Sequence, residues 1–237
     1  MISEDVLLYK AANIVFEAKD LGELFEERSG PYLFDGGTPE FRLSITEEEL
    51  GVCRKESPEM SDRALVYLLS GTKFYFELIK RGGMLLHSSA VVKDGKAYLF
   101  TANPGVGKST HTGYWLKLYP DAYILNDDKP ALRRENGVFY AYGTPWSGKH
   151  DISRNAGAPI GGIACLERAD TNFIEPMPAA FAAAKLLSQT VRHIRKERMD
   201  ELLTTLDHLI REVPVYRLGC VNDISAARVS SEAMMKQ

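Results

Sequence analysis

The chain has 237 residues, of which 45% are hydrophobic and 26% are charged, a composition typical of a folded globular protein. These values exclude disorder, collagen and coiled coil as descriptions of the whole chain, and the length predicts one large domain or one domain with a small appendage. The 29 Lys and Arg residues against 32 Asp and Glu residues give a formal net charge of −3, so no overall positive field would hold the chain on nucleic acid or on an anionic membrane.

The cysteines and the N-terminus indicate the compartment. Cys53, Cys165 and Cys220 are odd in number and widely spaced, which fits neither a disulfide framework nor a paired-cysteine metal site. The first five residues carry two acids and no base, unlike a signal peptide. No apolar run approaches the roughly 18 residues of a membrane helix. We therefore expect a cytoplasmic protein with neither a membrane nor a nucleic acid as partner.

The first third of the chain carries short β-like segments at 13–17 and 40–45, separated by Gly and Pro turns. A helical pattern follows over 61–80, with Ser61 as a candidate N-cap, and it ends at two glycines. We predict a small β-rich N-terminal region with a linking helix over 1–80. A second, larger domain is predicted over 81–237.

From residue 84 the pattern changes to strand, loop, helix and strand. The predicted strands are 85–92, 96–100, 122–125, 160–166 and 213–218, with a hairpin around Asn136-Gly137, and the predicted helices are 109–118, 179–187, 191–211 and 225–235. This order predicts an α/β (α+β) fold with a mixed sheet flanked by helices.

Residues 102–109, Ala-Asn-Pro-Gly-Val-Gly-Lys-Ser, have the spacing of a phosphate-binding loop, with Ala in place of the usual first Gly. The glycines allow backbone N–H groups to approach phosphate oxygens, and the following helix points its positive end at the same anion. Lys108 is placed for the β- and γ-phosphates, and the Ser109 hydroxyl can reach Mg²⁺. A Gly-rich turn that carries a surface lysine is the plainer alternative. The predicted nucleotide-contacting residues are Asn103, Pro104, Gly105, Val106, Gly107, Lys108, Ser109 and Thr110.

Two acids, Asp127 and Asp128, end the strand that follows the helix of this loop. Carboxylates at a strand end beside a phosphate loop could hold Mg²⁺ or take a proton from an attacking hydroxyl, although a simple turn is the alternative. Because successive residues of a strand point to opposite faces, the two acids need not share a role. His87, in the strand before the loop, could orient an aspartate or could simply pack in the core.

Two further segments carry chemistry-bearing residues. Segment 143–155 is rich in Gly and Pro and contains Trp146, Lys149 and His150, so it could close over phosphates or bind an acceptor, or it could be a structural turn with Trp146 buried. The basic run 192–198 favours a solvated helix face over a site for an acidic partner. No His, Cys, Asp or Glu spacing predicts a zinc site.

Segments 86–91, 102–110, 125–128 and 143–146 together resemble the C-terminal catalytic domain of the HPr kinase/phosphorylase family, and the smaller HPr-kinase-related proteins more closely. The likeness covers about residues 80–228. It implies a fold related to ATP-dependent phosphoenolpyruvate carboxykinase, ATP and Mg²⁺ as cofactors, phosphoryl transfer to a serine hydroxyl, and an oligomeric assembly. The first 80 residues do not look like the family's usual N-terminal domain, and an HPr-docking segment is not found.

Carried over to this sequence, the resemblance implies that Asp127 is the general base and that His87 contacts it. Asp128 would lie beside it near the metal, with Ser109 as a second metal ligand. We therefore interpret the chain as a Mg-ATP-dependent kinase that phosphorylates a hydroxyl of a protein, a peptide or a small molecule, with Lys108, Asp127 and His87 as catalytic residues. The alternatives are a nucleotide-dependent switch that engages a partner protein and a scaffold with a degenerate site.

Overall fold

The computed structural model describes residues 7–192 and 195–236, which form a small N-terminal sheet and a large mixed sheet flanked by helices. The described strands are β1 Leu8–Ala11, β2 Ile14–Ala18, β3 Phe41–Leu43, β4 Gly83–Leu85, β5 Ser88–Lys93, β6 Lys96–Thr101, β7 Tyr123–Asp128, β8 Ala131–Glu135, β9 Val138–Tyr142, β10 Gly157–Arg168, β11 Phe173–Pro176 and β12 Val215–Cys220. The described helices are α1 Glu23–Ser29, α2 Glu47–Glu56, α3 Asp62–Ile79, α4 Lys108–Leu118, α5 Ala179–Ser188, α6 Lys196–Glu212 and α7 Ile224–Met234. The predicted fold class is confirmed.

The small sheet has the order β1-β2-β3, with β2 antiparallel to β1 and parallel to β3. Side chains of β2 alternate between buried and half-buried, as expected for a strand that packs one face on a core. The N-terminal region also contains α1 and α2, which the sequence analysis did not predict. A capping box starts α2, because the side chain of Thr46 accepts from the N–H of Glu49 and the Glu49 carboxylate accepts from the N–H of Thr46.

The large sheet runs in the order β4-β8-β9-β10-β6-β5-β7, and β12 adds to β10 and carries β11. The first half of β10 pairs with β9, and its second half lies parallel between β6 and β12. Because β5 is antiparallel to both β6 and β7, the strand β7 runs in the same direction as β6. The carboxyl ends of β6, β7, β10 and β12 therefore meet at one edge of the sheet, where ligands of open α/β sheets bind.

Most predicted elements shift by a few residues at their ends, and two differ by an interruption or a late start. The predicted strand 85–92 is interrupted at Leu86 and His87, because the chain leaves its pairing with β8 and begins to pair with β6 and β7. The predicted helix 191–211 begins only at Lys196, since Val191 packs instead against the N-terminal hydrophobic cluster. His193 and Ile194, within the predicted basic run, lie outside the described residues.

The N-terminal region shares its core with later parts of the chain. Trp146 is fully buried, and its ring centroid lies 6.3 Å from that of Phe16, 5.7 Å from that of Phe25 and 4.7 Å from that of Phe74. The Trp146 Nε1–H donates to the Ser70 hydroxyl at 3.0 Å. One aromatic cluster thus joins the small sheet, α3 and the segment that follows β9.

Among the helices in the described part of the chain, none combines the length and the apolar character needed to cross a bilayer.

Candidate active site

The phosphate loop connects β6 to α4 and has the backbone conformation that its glycines permit. Gly105 has φ +77° and Gly107 has φ +121°, both in the left-handed region that disfavours other residues. Gly107 is the N-cap of α4, and because glycine has no side chain to accept hydrogen bonds, the first N–H groups of the helix are left for water or an anion. The loop backbone therefore leaves these N–H groups open to a bound anion.

Lys108 supplies a positive charge at the mouth of this loop. Its Nζ donates to the Ala102 carbonyl at 3.2 Å, so the ammonium lies over the loop's own backbone. Burial lowers the pKa of Lys108, while the charges of Asp128 and Asp127 act in the opposite direction. The charges of Lys108, Asp127 and Asp128 are therefore close enough to affect one another.

Asp127 lies against the first turn of α4. The Ser109 hydroxyl donates to both carboxylate oxygens of Asp127, at 3.2 and 3.1 Å, and Asp127 is only 8% exposed. The resemblance placed Ser109 and Asp128 together at the metal, but the structure pairs Ser109 with Asp127 instead. The hydroxyl and this carboxylate form a pair of hard oxygen donors beside the loop.

Asp128 faces His87. The His87 Nε2 lies 2.7 Å from Asp128 Oδ1, and Lys129 Nζ lies 3.7 Å from the other oxygen. The resemblance had implied that His87 contacts Asp127; the structure shows the contact with Asp128. The physical reason is the backbone of Asp128, whose φ of +126° turns its side chain out of the regular strand alternation.

The ionisation of Asp128 follows from these neighbours. Burial raises its pKa, but the hydrogen bond from His87 and the charges of His87, Lys129 and Lys108 outweigh burial and hold the pKa below its usual value. Burial lowers the pKa of Lys129, against the opposing effect of Asp128. Asp128 is thus a carboxylate at neutral pH, with a side chain 27% exposed and a cation close by.

Segment 143–155 supports the acids from the outer side of β7. The Gly148 N–H donates to the Asp127 carbonyl at 2.7 Å, and a Cβ added at Gly148 would lie 2.8 Å from that oxygen. Residues 152–154 run along β7: the Asp127 N–H donates to the Ile152 carbonyl, and the Arg154 N–H donates to the Leu125 carbonyl, both at 2.9 Å. The buried Trp146 makes part of this segment structural, while Lys149 and His150 are exposed.

Two residues that the sequence analysis missed hold the loop and His87 in place. Gln189, at the end of α5, accepts from the His87 N–H through its carbonyl at 2.7 Å, and its side chain lies 3.3 Å from His87 Nδ1 and 3.5 Å from Asn103 Oδ1. Arg168 donates to the Gly105 carbonyl at 2.9 Å. The loop residues that they contact lie more than 60 positions away in sequence, so no local pattern could have found them. Lys129 was also missed, although it directly follows the two acids.

The residues present fit a phosphate-bound Mg²⁺. Within residues 7–192 and 195–236, no group of three or more His, Cys, Asp and Glu side chains forms a metal cage. Mg²⁺ bound with nucleotide phosphates needs only one or two protein oxygens, because phosphates and water complete its octahedron. Ser109 and Asp127 provide oxygens of this kind beside the loop.

Comparisons with known proteins place the chain in a family. The family model described as "SynChlorMet cassette protein ScmC" matches residues 52–224. The chain belongs to this family. The matched span of this chain includes α3, the loop 102–109, both acids and β12.

Comparisons with curated proteins and with solved structures give no further family assignment. No curated protein matches the chain in sequence. A solved structure of the HPr(Ser) kinase/phosphatase from Coxiella burnetii aligns with 64% of this chain and 97% of its own chain, at 13% identity and a TM-score of 0.38. The resemblance to HPr kinases thus extends to the fold at most, and the chemistry proposed below depends on this chain's own residues.

Proposed function

We propose that the chain is a Mg-ATP-dependent phosphotransferase that transfers the γ-phosphoryl group to a hydroxyl. One observation carries the proposal: a phosphate loop with Lys108 at its mouth lies within hydrogen-bond reach of one acid of a pair, while the second acid is held by a histidine. Phosphoryl transfer asks a protein mainly for positioning and charge neutralisation, and this arrangement supplies both.

The geometry supports different roles for the two acids from those implied by the resemblance. Asp127 is nearly buried and is bound to Ser109, so these two residues would hold Mg²⁺, whose charge would neutralise the phosphate oxygens. Asp128 is more exposed and its Oδ1 is held by His87, so its Oδ2, which lies 3.7 Å from Lys129 Nζ, would accept the proton of the acceptor hydroxyl. The hydrogen bond and charge of His87, followed by the charges of Lys129 and Lys108, favour the ionised form of this carboxylate.

Lys108 acts on the phosphates. In the structure its ammonium donates to the neutral carbonyl of Ala102. A charged phosphate oxygen in place of that carbonyl would accept a stronger, charge-assisted hydrogen bond. Because the charge on the transferring group spreads over its oxygens in the transition state, the lysine stabilises that state. The loop N–H groups hold the remaining phosphate oxygens.

The test follows label from γ-labelled ATP in the presence of Mg²⁺ and fractionated lysate of the host. We expect transfer to a hydroxyl acceptor, and we expect Lys108→Ala to lower the rate about 100-fold or more, as for loss of one preorganised transition-state donor. Lys55→Ala, on the exposed surface of α2, is the matched control and should transfer like the wild type. Unchanged transfer by Lys108→Ala would contradict the proposal. Label released only to water, with nucleotide-dependent partner binding, would show the switch instead.

A further inference from the structure

Asn126, which directly precedes the two acids, is fully buried and stabilises the turn that carries them. Its Oδ1 accepts from the Lys129 N–H at 2.7 Å, so the side chain bridges the backbone across Asp127 and Asp128. A bond of this kind, from an Asn side chain to a backbone N–H a few residues later, holds the chain in a turn. The turn includes the backbone of Asp128, with its φ of +126°, and Asp128 contacts His87 from it. Asn126 therefore helps to fix the direction of Asp128.

The amide of Asn126 is itself held by the segment that runs along β7. Its Nδ2 donates to Ser153 Oγ at 3.0 Å, and the carbonyls of Thr144 and Trp146 each lie 3.3 Å away. Because these carbonyls only accept and the Lys129 N–H only donates, the contacts are compatible with one orientation of the amide. The Ser153 hydroxyl donates to the Thr144 carbonyl at 2.8 Å, so its oxygen is the acceptor toward Asn126.

A tyrosine of the N-terminal region extends this line of hydrogen bonds. Tyr32 ends the 3₁₀ turn at 30–32, directly after α1, and is buried. Its hydroxyl lies 2.6 Å from Ser153 Oγ. Because the Ser153 proton is directed at a carbonyl, the Tyr32 hydroxyl is the donor of this bond. A continuous line thus runs from Tyr32 through Ser153 and Asn126 to the Lys129 N–H.

Arg28, four residues before Tyr32, holds the same segment at a second point. Its Nη1 donates to the Gly148 carbonyl at 3.4 Å and to the Tyr67 hydroxyl at 2.9 Å. Its Nε lies 3.3 Å from the carboxylate of Asp151. The Arg28 side chain is only 14% exposed, so these contacts are largely shielded from water. The chain around Tyr32 is therefore fixed against the segment that supports both acids.

We propose that Tyr32 is a positioning residue for phosphoryl transfer, which acts through Ser153 and Asn126 on the turn that directs Asp128. The inference rests on the proposed function, because it takes Asp128 as the proton acceptor. It adds that the N-terminal region determines the geometry of the site and does not merely stabilise the fold. A displacement of about 1 Å caused far from the chemistry can cost about 10²-fold in rate, so the effect of one lost hydrogen bond in this line is measurable.

The first test removes the Tyr32 hydroxyl and keeps its ring. With the lysate fraction that accepts label from γ-labelled ATP, we expect Tyr32→Phe to lower the apparent kcat about 10-fold and to leave the KM for ATP unchanged, because the loop keeps its contacts. Ser153→Ala breaks the same line within the half-buried segment and should give the same result, which keeps the test valid if Tyr32→Phe does not fold.

Tyr119→Phe is the matched control. The Tyr119 hydroxyl also pairs with a serine, at 2.9 Å from Ser231 Oγ, but Tyr119 lies at the opposite end of α4 from the loop. This variant loses the same kind of hydrogen bond, so we expect a similar decrease in melting temperature. Its apparent kcat should equal that of the wild type.

The second test asks whether Tyr32 acts through Asp128. In an Asp128→Asn background the proton acceptor is already lost, so we expect Tyr32→Phe to cause no further decrease in the rate of transfer. A role in stability alone would lower the rate by the same factor in both backgrounds. The measurement is label transfer by the wild type, the two single variants and the double variant.

The outcomes separate this inference from the proposed function. An unchanged apparent kcat for Tyr32→Phe, or for Ser153→Ala where Tyr32→Phe does not fold, would overturn the positioning role and leave the phosphotransferase intact. Equal rate losses in the wild-type and Asp128→Asn backgrounds, or a raised KM for ATP without a lower kcat, would do the same. Absence of transfer by the wild type would overturn both.

Discussion

Asp127 and Asp128 are neighbours in sequence, yet they have different partners. The sequence singled out the loop 102–109, the two acids and His87, because each belongs to a local pattern of strand, loop or strand end, and these residues lie close together in the structure. It was insufficient to say which acid His87 would contact. Asp128 has a φ of +126°, a local departure from strand geometry, and side-chain order along a strand carries no information on such a departure.

The role of each acid can be separated by isosteric substitution. We expect Asp128→Asn to lower the rate of transfer by about 10²–10⁴-fold, the range for loss of a positioned proton acceptor, while ATP affinity and Mg²⁺ dependence are retained. Asp127→Asn should instead raise the Mg²⁺ concentration required for half-maximal rate. The measurement is a rate titration with Mg²⁺ for both variants, with the exposed Asp200→Asn on α6 as control. The opposite pattern would restore the assignment implied by the resemblance.

At the scale of elements, local patterns predict the bounds of α3 but not its tertiary contacts. The helix was predicted over 61–80 and runs from Asp62 to Ile79, since Ser61 caps it by accepting from the Ala64 N–H and its apolar residues recur on one face. Its contact with the segment after β9 was not predictable, because α3 and Trp146 lie about 70 residues apart. Gly71 leaves the space on α3 that the Trp146 ring fills.

Gly71→Ala should therefore destabilise the protein. The added Cβ would lie 2.8 Å from Trp146 Cδ1, and Trp146 is fully buried and hydrogen-bonded to Ser70, so it cannot withdraw freely. We expect a net loss of about 1–2 kcal/mol in the free energy of unfolding, because overpacking outweighs the gain in helix propensity. Urea unfolding measures it.

The matched control is Gly51→Ala in α2. A Cβ there would meet no atom of the described residues within 4 Å, so the substitution should keep only the propensity gain of about 0.5–1 kcal/mol. Equal effects of the two substitutions would show that α3 and Trp146 are less tightly packed than described.

At the scale of the molecule, one hydrophobic core extends across the predicted boundary at residue 80. Leu85, Ala131, Tyr142 and Trp146 from the second part lie in one hydrophobic cluster with residues of the small sheet, α1 and α3. Composition and turn residues indicated a change in the pattern of predicted elements near residue 81. They carried no information on which surfaces of the two parts pack against each other. Such contacts join distant parts of the chain and become visible only in three dimensions.

This shared core predicts the behaviour of a fragment. Residues 81–237 alone would expose the Trp146 cluster, and loss of packing around one buried aromatic side chain costs about 3–5 kcal/mol, a large part of the stability of a domain. We expect the fragment to lack a cooperative thermal transition in near-ultraviolet circular dichroism, whereas the full chain under the same conditions shows one. Addition of a peptide covering residues 1–80 should restore it. A fragment that melts cooperatively at the temperature of the full chain would establish an independent domain.

The strip of chain from Ile152 to Arg154 has a bearing on substrate choice. It occupies the flank of β7, so the backbone of the acid-bearing strand is already paired where a visiting peptide would otherwise add itself as a further strand. Under the proposed function, the hydroxyl of an acceptor must then reach Asp128 from beyond the carboxyl end of β7. Selectivity for the acceptor would accordingly depend on the shape and charge of the surface around Asp128. An acceptor peptide could not bind by backbone hydrogen bonds along this side of β7.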